Sequence, residues 1–283
     1  MAFTMALVQF ESRQYAPEHN LARAEEFVRE AAAAGAHLAV FPEDFVTGPL
    51  SARRELADTD GRYRDAFRTL AQRHAIDLVP GSMIEREASR CYNTTYYIDS
   101  RGEVLARYRK VNLWLAEKPW CTPGDGAVAC STRWGKVGLA ICWDLAFPEL
   151  FRDLLAQEAE LVICPSLWCR EDAGAGVKHN PESEVAFVDS LCVARAFENE
   201  VVLAFCNAAG RFETSKGAVH SIGRSQVAVP FKGAVARVEH DREEMLIQEV
   251  DTAILAEAEA AYEIRKDLRR KRGFPYSHET HQR

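Results

Sequence analysis

Six short apolar runs recur along the chain, separated by helical or turn-rich stretches: TMALVQF (4–10), HLAVFPE (37–43), IDLVPGSM (76–83), KVGLAICW (136–143), ELVICPSLW (160–168) and EVVLAFCNAAG (200–210). This rhythm constrains the fold more than any other feature, because buried strands alternating with amphipathic helices assemble into α/β layers. From Pro17 to Ala34 the residues Leu21, Ala24, Phe27, Val28 and Ala31 keep helical spacing, and Gly35 ends it. Residues 60–74, 148–157 and 181–199 are read as further helices, with Pro148 and Pro181 opening the last two. CYNTTYYIDSRGEVLARYRK (91–110) predicts two β segments joined by a turn at 100–102, and 221–240 reads as β-rich. A charged helix is expected over 251–272, stopped by Gly273 and Pro275. No linker, repeat or charge block divides the chain. The expectation is one domain over 1–283, with a C-terminal helix and tail at 251–283.

Composition narrows the partners. At 47% hydrophobic and 27% charged, the chain has ample material for a core. A formal charge of −7 speaks against nucleic acid or an anionic membrane, both of which need a basic face. The basic cluster RKDLRRKR (265–272) is read as a solvated helix end whose cations offset the dipole. No run approaches the roughly 18 apolar residues of a membrane helix. MAFTMALVQF reads as a first strand and not a secretion signal, so a cytoplasmic protein is expected. There the eight cysteines would stay reduced. No C-x-x-C occurs and no zinc-ligand spacing appears, so no metal is assigned; His278 and His281 are read as solvated. AGAG (173–176) lacks the frame of a phosphate loop, and 169–180 is read as a polar loop.

Three expected strands end in a reactive side chain: Glu43 after HLAVFP, Lys110 after VLARYR and Cys142 after KVGLAI. In α/β sheets, ligands bind beyond the carboxyl ends of strands. A carboxylate, an ammonium and a thiol converging there could run nucleophilic catalysis. Each also has a plain alternative: a surface glutamate, a solvated lysine and a buried core cysteine.

FPEDF (41–45), RYRKVNL (107–113) and GLAICWDLAFPEL (138–150) resemble, in order, the three signature segments of the nitrilase superfamily, the carbon–nitrogen hydrolases. YNTTYYIDSRG (92–102), TPGD (122–125), ARAFENEVVLAFCNAAG (194–210) and GRSQVAVPFKG (223–233) extend the likeness from residue 4 to about 250. The resemblance implies a four-layer α-β-β-α sandwich, assembled as a homodimer or larger homo-oligomer. It implies Cys142 as nucleophile, Glu43 as general base and Lys110 as the lysine that stabilises the tetrahedral intermediate. Glu117, in WLAEKPWCTPGD, is the candidate for the family's substrate-positioning glutamate, with a plain loop carboxylate as the alternative.

The residue types suit those roles. Lys110 and a helix start near Pro148 are expected to lower the Cys142 pKa toward the nucleophilic thiolate. Glu43 would take the thiol proton and later hand one to the leaving amine. Lys110 and the backbone N–H of Trp143 would hold the oxyanion. Water would then cleave the thioester, with no metal or organic cofactor. Asp144 and Glu149 are candidates for positioning the turn around Cys142, although carboxylates favour a helix start on dipole grounds alone. Trp114, Trp120 and Trp168 are candidate pocket walls, with core packing as the alternative. CWDLAFPEL is closer to the amidase, ω-amidase and carbamoylase branches than to the true nitrilases. The implied function is therefore an amidohydrolase that cleaves a small amide or N-carbamoyl substrate through a cysteine thioester and releases ammonia. Nitrile hydrolysis by the same residues and a catalytically idle binding or scaffold protein are the alternatives. Asn112, where many members carry histidine, the short interval from Lys110 to Glu117 and the charged loop at 168–184 depart from the family pattern. They bear on specificity.

Overall fold

The alternation of strands and helices builds two sheets. In the computed structural model, which describes residues 1–50, 53–214 and 217–270, β1 (Ala2–Gln9) leads through α1 (Pro17–Ala33) to β2 (Leu38–Val40). α2 (Arg62–His74) connects β2 to β3 (Asp77–Val79), and β4 (Ser82–Glu87), β5 (Arg90–Ile98) and β6 (Val104–Arg109) follow as antiparallel strands. The second half runs β7 (Val128–Thr132), β8 (Gly135–Leu139), α3 (Pro148–Ala156), β9 (Leu161–Ser166), α4 (Ser183–Glu198) and β10 (Val202–Asn207). The hairpin β11 (Arg211–Thr214) and β12 (Gly217–His220) precedes β13 (Gln226–Val229), β14 (Gly233–Arg237) and β15 (Glu244–Asp251). α5 (Ala253–Tyr262) and α6 (Ile264–Arg270) close the described chain.

One sheet has the order β15-β1-β2-β3-β5-β4, with β6 on β5; the other is β14-β13-β10-β9-β8-β7. β1–β2–β3 and β8–β9–β10 run parallel, which helical crossovers require. Strand periodicity sorts the side chains. Phe3, Met5 and Leu7 of β1, with Leu38 and Val40 of β2, join the cluster that includes Leu139, Ile163 and Phe205 of the second sheet. The alternate residues Ala6, Val8 and Ala39 pack with Phe27 and Val28 of α1 and Phe67 of α2. On the far side, Phe151 and Leu154 of α3 and Val188 and Cys192 of α4 pack onto the second sheet. The layers are therefore α-β-β-α, as the resemblance implies.

Several local expectations shift. α2 starts at Arg62 because the Asp58 carboxylate accepts hydrogen bonds from the amides of Gly61, Arg62 and Tyr63. The loop at 169–180 contains 3₁₀ turns over Arg170–Lys178, broken at Gly174. The single C-terminal helix is instead two, because Glu263 adopts a left-handed backbone (φ 52°) that ends α5. Nor is the whole basic cluster solvated: Arg265 Nη2 donates to the carbonyls of Ala159 (2.8 Å) and Glu200 (2.8 Å), behind α3 and α4. Lys271, Arg272, Gly273, Pro275, His278 and His281 lie outside the described residues.

Candidate active site

The three reactive side chains come from strand ends of both sheets, and close backbone packing brings them together. Lys110 directly follows β6; its amide donates to Asn93 O (2.8 Å) and its carbonyl accepts from Gly124 N (2.9 Å). Glu43 lies beyond the end of β2, in a turn hung on the β3–β4 connection. There Ser82 N donates to Pro42 O (3.3 Å) and Asp44 N to Ser82 O (3.0 Å). Gly81 makes that approach possible: its φ is +64°, and a Cβ would fall 1.9 Å from Pro42 O.

Cys142 lies beyond β8 and opens a 3₁₀ turn, Cys142–Ala146, with φ 46°, a left-handed backbone that costs a non-glycine residue roughly 1–3 kcal/mol. Buried Asp144 holds the turn there. Its carboxylate accepts from Ile141 N (2.9 Å), Asn112 N (2.9 Å), Asn112 Nδ2 (2.9 Å) and Tyr108 OH (2.7 Å). Asp144 thus ties the Cys142 turn to the segment carrying Lys110. Glu149, by contrast, is an exposed residue in the first turn of α3.

Lys110 Nζ contacts Glu43 Oε1 (2.8 Å) and Glu117 Oε2 (2.7 Å). Asn93 Nδ2 donates to Glu43 Oε1 (2.8 Å) and Glu117 Oε1 (2.8 Å). The remaining oxygen of Glu43, Oε2, accepts from Leu167 N (2.9 Å), and Glu117 Oε2 also accepts from Trp114 N (2.7 Å). Cys142 Sγ donates to Leu167 O (3.8 Å), the carbonyl of the residue whose N–H holds Glu43, so the thiol and the carboxylate share one backbone anchor. Glu43, Lys110 and Cys142 are only 4%, 1% and 7% exposed, so their charges act in a nearly dry pocket.

That dryness sets the protonation states. Burial raises the Glu43 carboxyl above its ordinary value; Lys110 opposes the shift and Glu117 adds to it. Burial alone would lower the Lys110 ammonium, but Glu117 and Glu43 outweigh it and hold it well above its ordinary value. Burial pushes the Cys142 thiol well up, the Glu43 charge adds to this, and Lys110 pulls the other way without prevailing. The expected lowering of the Cys142 pKa is therefore corrected. Cys142 is held as a thiol near the Glu43 carboxylate, and α3 begins beyond the turn that carries it.

Residues 4–260 match the carbon-nitrogen hydrolase family. The chain belongs to that family. This carbon-nitrogen hydrolase is 29% identical to the 2-oxoglutaramate amidase of Bacillus subtilis (strain 168), over 95% of this chain and 99% of the relative. Its fold is similar to Saccharomyces cerevisiae Nit3, a member of branch 10 of the nitrilase superfamily (TM-score 0.79, 25% identity, 92% of this chain and 94% of that one). It is also similar to a mutant amidase from Nesterenkonia sp. AN1 showing covalent addition of the acetamide moiety of fluoroacetamide at the active site cysteine. That match has a TM-score of 0.76 and 26% identity over 92% of this chain and 96% of that one.

In this hydrolase the Trp143 ring meets Trp114 at 4.5 Å and Trp168 at 5.5 Å between centroids, forming an aromatic wall beside Cys142. Trp120 does not join it; the ring lies under Arg54 and packs against the cluster containing Leu50, Leu113 and Cys121. Asn93 and the Leu167 backbone are site members that motif reading missed. The hairpin could have given Asn93. Extending the Thr94–Arg109 register by one pair puts it opposite Lys110. Among the described residues, no group of three or more His, Cys, Asp or Glu could hold a metal ion, and no helix is long and apolar enough to cross a membrane.

Proposed function

We propose that this hydrolase cleaves a small carboxamide through a Cys142 thioester, with Glu43 as the general base and Lys110 as an oxyanion donor. The observation that carries the reading is the Glu43 carboxylate, which holds the Lys110 ammonium directly and shares the Leu167 backbone with the Cys142 thiol inside a buried pocket. Glu43 takes the thiol proton as Sγ attacks the carbonyl carbon. The resulting oxyanion is held by Lys110 and by the N–H of Trp143, an amide at the start of the 3₁₀ turn with no partner inside it. One such donor is worth about 2.7–4 kcal/mol of barrier. The Glu43 proton then goes to the departing nitrogen, and ammonia leaves. Water, deprotonated by Glu43, attacks the thioester, and the proton returns to the Cys142 sulfur as the acid departs. Glu117, fixed on Lys110 and Asn93, positions the amide.

The amidase relative and the cysteine adduct in the Nesterenkonia enzyme support an amide over a nitrile as substrate. The site draws Glu43 and Lys110 from one sheet and Cys142 from the other, which supports reading 1–283 as one catalytic unit. Eight free cysteines support a cytoplasmic location. Exposed Phe187, Phe197, Phe231 and Tyr262 support a homo-oligomer, since so much bare aromatic surface is costly in a monomer.

The test is ammonia release from 2-oxoglutaramate, succinamate, butyramide, N-carbamoyl-β-alanine and butyronitrile. Turnover of at least one amide is expected, with none in Cys142→Ala and a loss of about 10²–10³ in kcat for Lys110→Ala. Near-wild-type turnover in Cys142→Ala would sink the mechanism.

A further inference from the structure

The pocket places two carboxylates on one ammonium, and the motifs do not say what keeps Glu43 free to accept a proton. Asn93, 1% exposed on β5, spans the gap. Its single amide nitrogen divides its two hydrogens between Glu43 Oε1 and Glu117 Oε1, each at 2.8 Å. Its own carbonyl oxygen on the backbone receives the Lys110 amide at 2.8 Å, so the residue also sets where the lysine leaves the sheet. The orientation of the side chain is forced, because turning Oδ1 toward two carboxylate oxygens would set acceptor against acceptor. In this orientation Oδ1 is buried with no partner among the described residues. A packing asparagine satisfies both ends of its amide; here the acceptor end is given up so that both donors reach the glutamates.

We propose that Asn93 is a positioning residue of the reaction: its amide keeps the Glu43 carboxylate in its proton-accepting form and locks Glu117 against Lys110. A donor bonded to a carboxylate favours the ionised form, and in a dry pocket that preference is strong. Lys110 supplies one such donor to Glu43 Oε1, and Asn93 supplies the second without adding charge. A second lysine there would compete for Glu117; an aspartate would make a third carboxylate. Asparagine gives two donors from one neutral atom, which is what two adjacent acceptors need.

The inference rests on Glu43 as base, and the test separates the two. The readouts are the pH dependence of kcat/KM and of Cys142 alkylation by iodoacetamide, followed by peptide mass mapping. In the wild type both fall on the acid side as Glu43 takes up a proton. Asn93→Leu, similar in volume but without donors, should move that acid limb up by about one pH unit. Asn93→Asp should move it further and cost more in kcat than in KM. Asn93→Ser, which keeps one donor, should lie between; it answers the same question if the leucine variant fails to fold by circular dichroism. A limb that stays in place while activity falls uniformly would reduce Asn93 to a structural residue and overturn the proposal. Glu43→Gln should flatten the limb altogether. A limb retained in Glu43→Gln would overturn the base assignment itself, whatever Asn93 does.

Discussion

Cys142 is a thiol at rest because its neighbourhood withholds water and supplies a carboxylate. A nearby ammonium does not reverse this, since Lys110 already serves Glu43 and Glu117. In the proposed cycle the nucleophile is thus made at the moment of attack, by proton transfer to Glu43, and not stored as an ion pair. Thiolate absorbance near 240 nm, taken as the difference between wild type and Cys142→Ala, should be absent at pH 7. It should appear only above the ordinary cysteine range near pH 8.5. A full thiolate signal at neutral pH would contradict this state. Three ordered motifs carry Glu43, Lys110 and Cys142, and the stretch after the second carries Glu117; Glu43 and Glu117 share Lys110, and Cys142 joins them through Leu167. The sequence did not carry the protonation state of Cys142, because the balance between burial and a neighbouring charge depends on distances that no motif encodes. No motif marks Asn93, since only strand register puts it beside the lysine.

At the scale of elements, the site depends on where short strands stop. The buried runs predicted strands reaching Glu43 and Cys142, but β2 ends at Val40 and β8 at Leu139. The last residues of each run peel away into turns, which lets two side chains leave the sheet plane toward each other. Apolar character cannot mark that point, because Phe41 and Ile141 stay buried whether they pair in a sheet or pack in a turn. Gly81 is the hinge-pin of the first turn. Gly81→Ala should therefore lower stability by about 1–3 kcal/mol, the cost of a left-handed non-glycine residue, and more if the Pro42 contact cannot relax. It should also lower kcat without touching any reacting group. Urea denaturation and steady-state kinetics check the two effects, and wild-type values in both would remove Gly81 from the account of how Glu43 is placed. The C-terminal region shows the complementary limit: helical spacing runs on through 251–270, and the break at Glu263 is a backbone choice stabilised by tertiary bonds from Arg265.

For the whole molecule, the layer order was legible only through the family resemblance; the structure shows its physical basis, alternate residues of β1 and β2 facing different cores. The outer surface was not legible. Phe187 and Phe197 lie on the exposed side of α4, and Tyr262 of α5 touches both Phe197 (5.2 Å) and Phe231 (5.3 Å) between ring centroids. Helical periodicity hides such residues, because a strongly apolar helix gives no clean polar face. If this surface joins two copies, light scattering should find an oligomer in the wild type and a smaller species in Phe197→Glu. A monomeric wild type would remove the surface from consideration as a subunit contact. Burial of the reacting groups has one more consequence for the proposed cycle. No counter-ion can follow the chemistry into so dry a pocket, so the reaction has to balance its own books. As negative charge appears on the substrate oxygen it disappears from Glu43, and Lys110 faces the same total before and after. The pocket works at constant charge, and the protein never has to reorganise around an ion that was not already there.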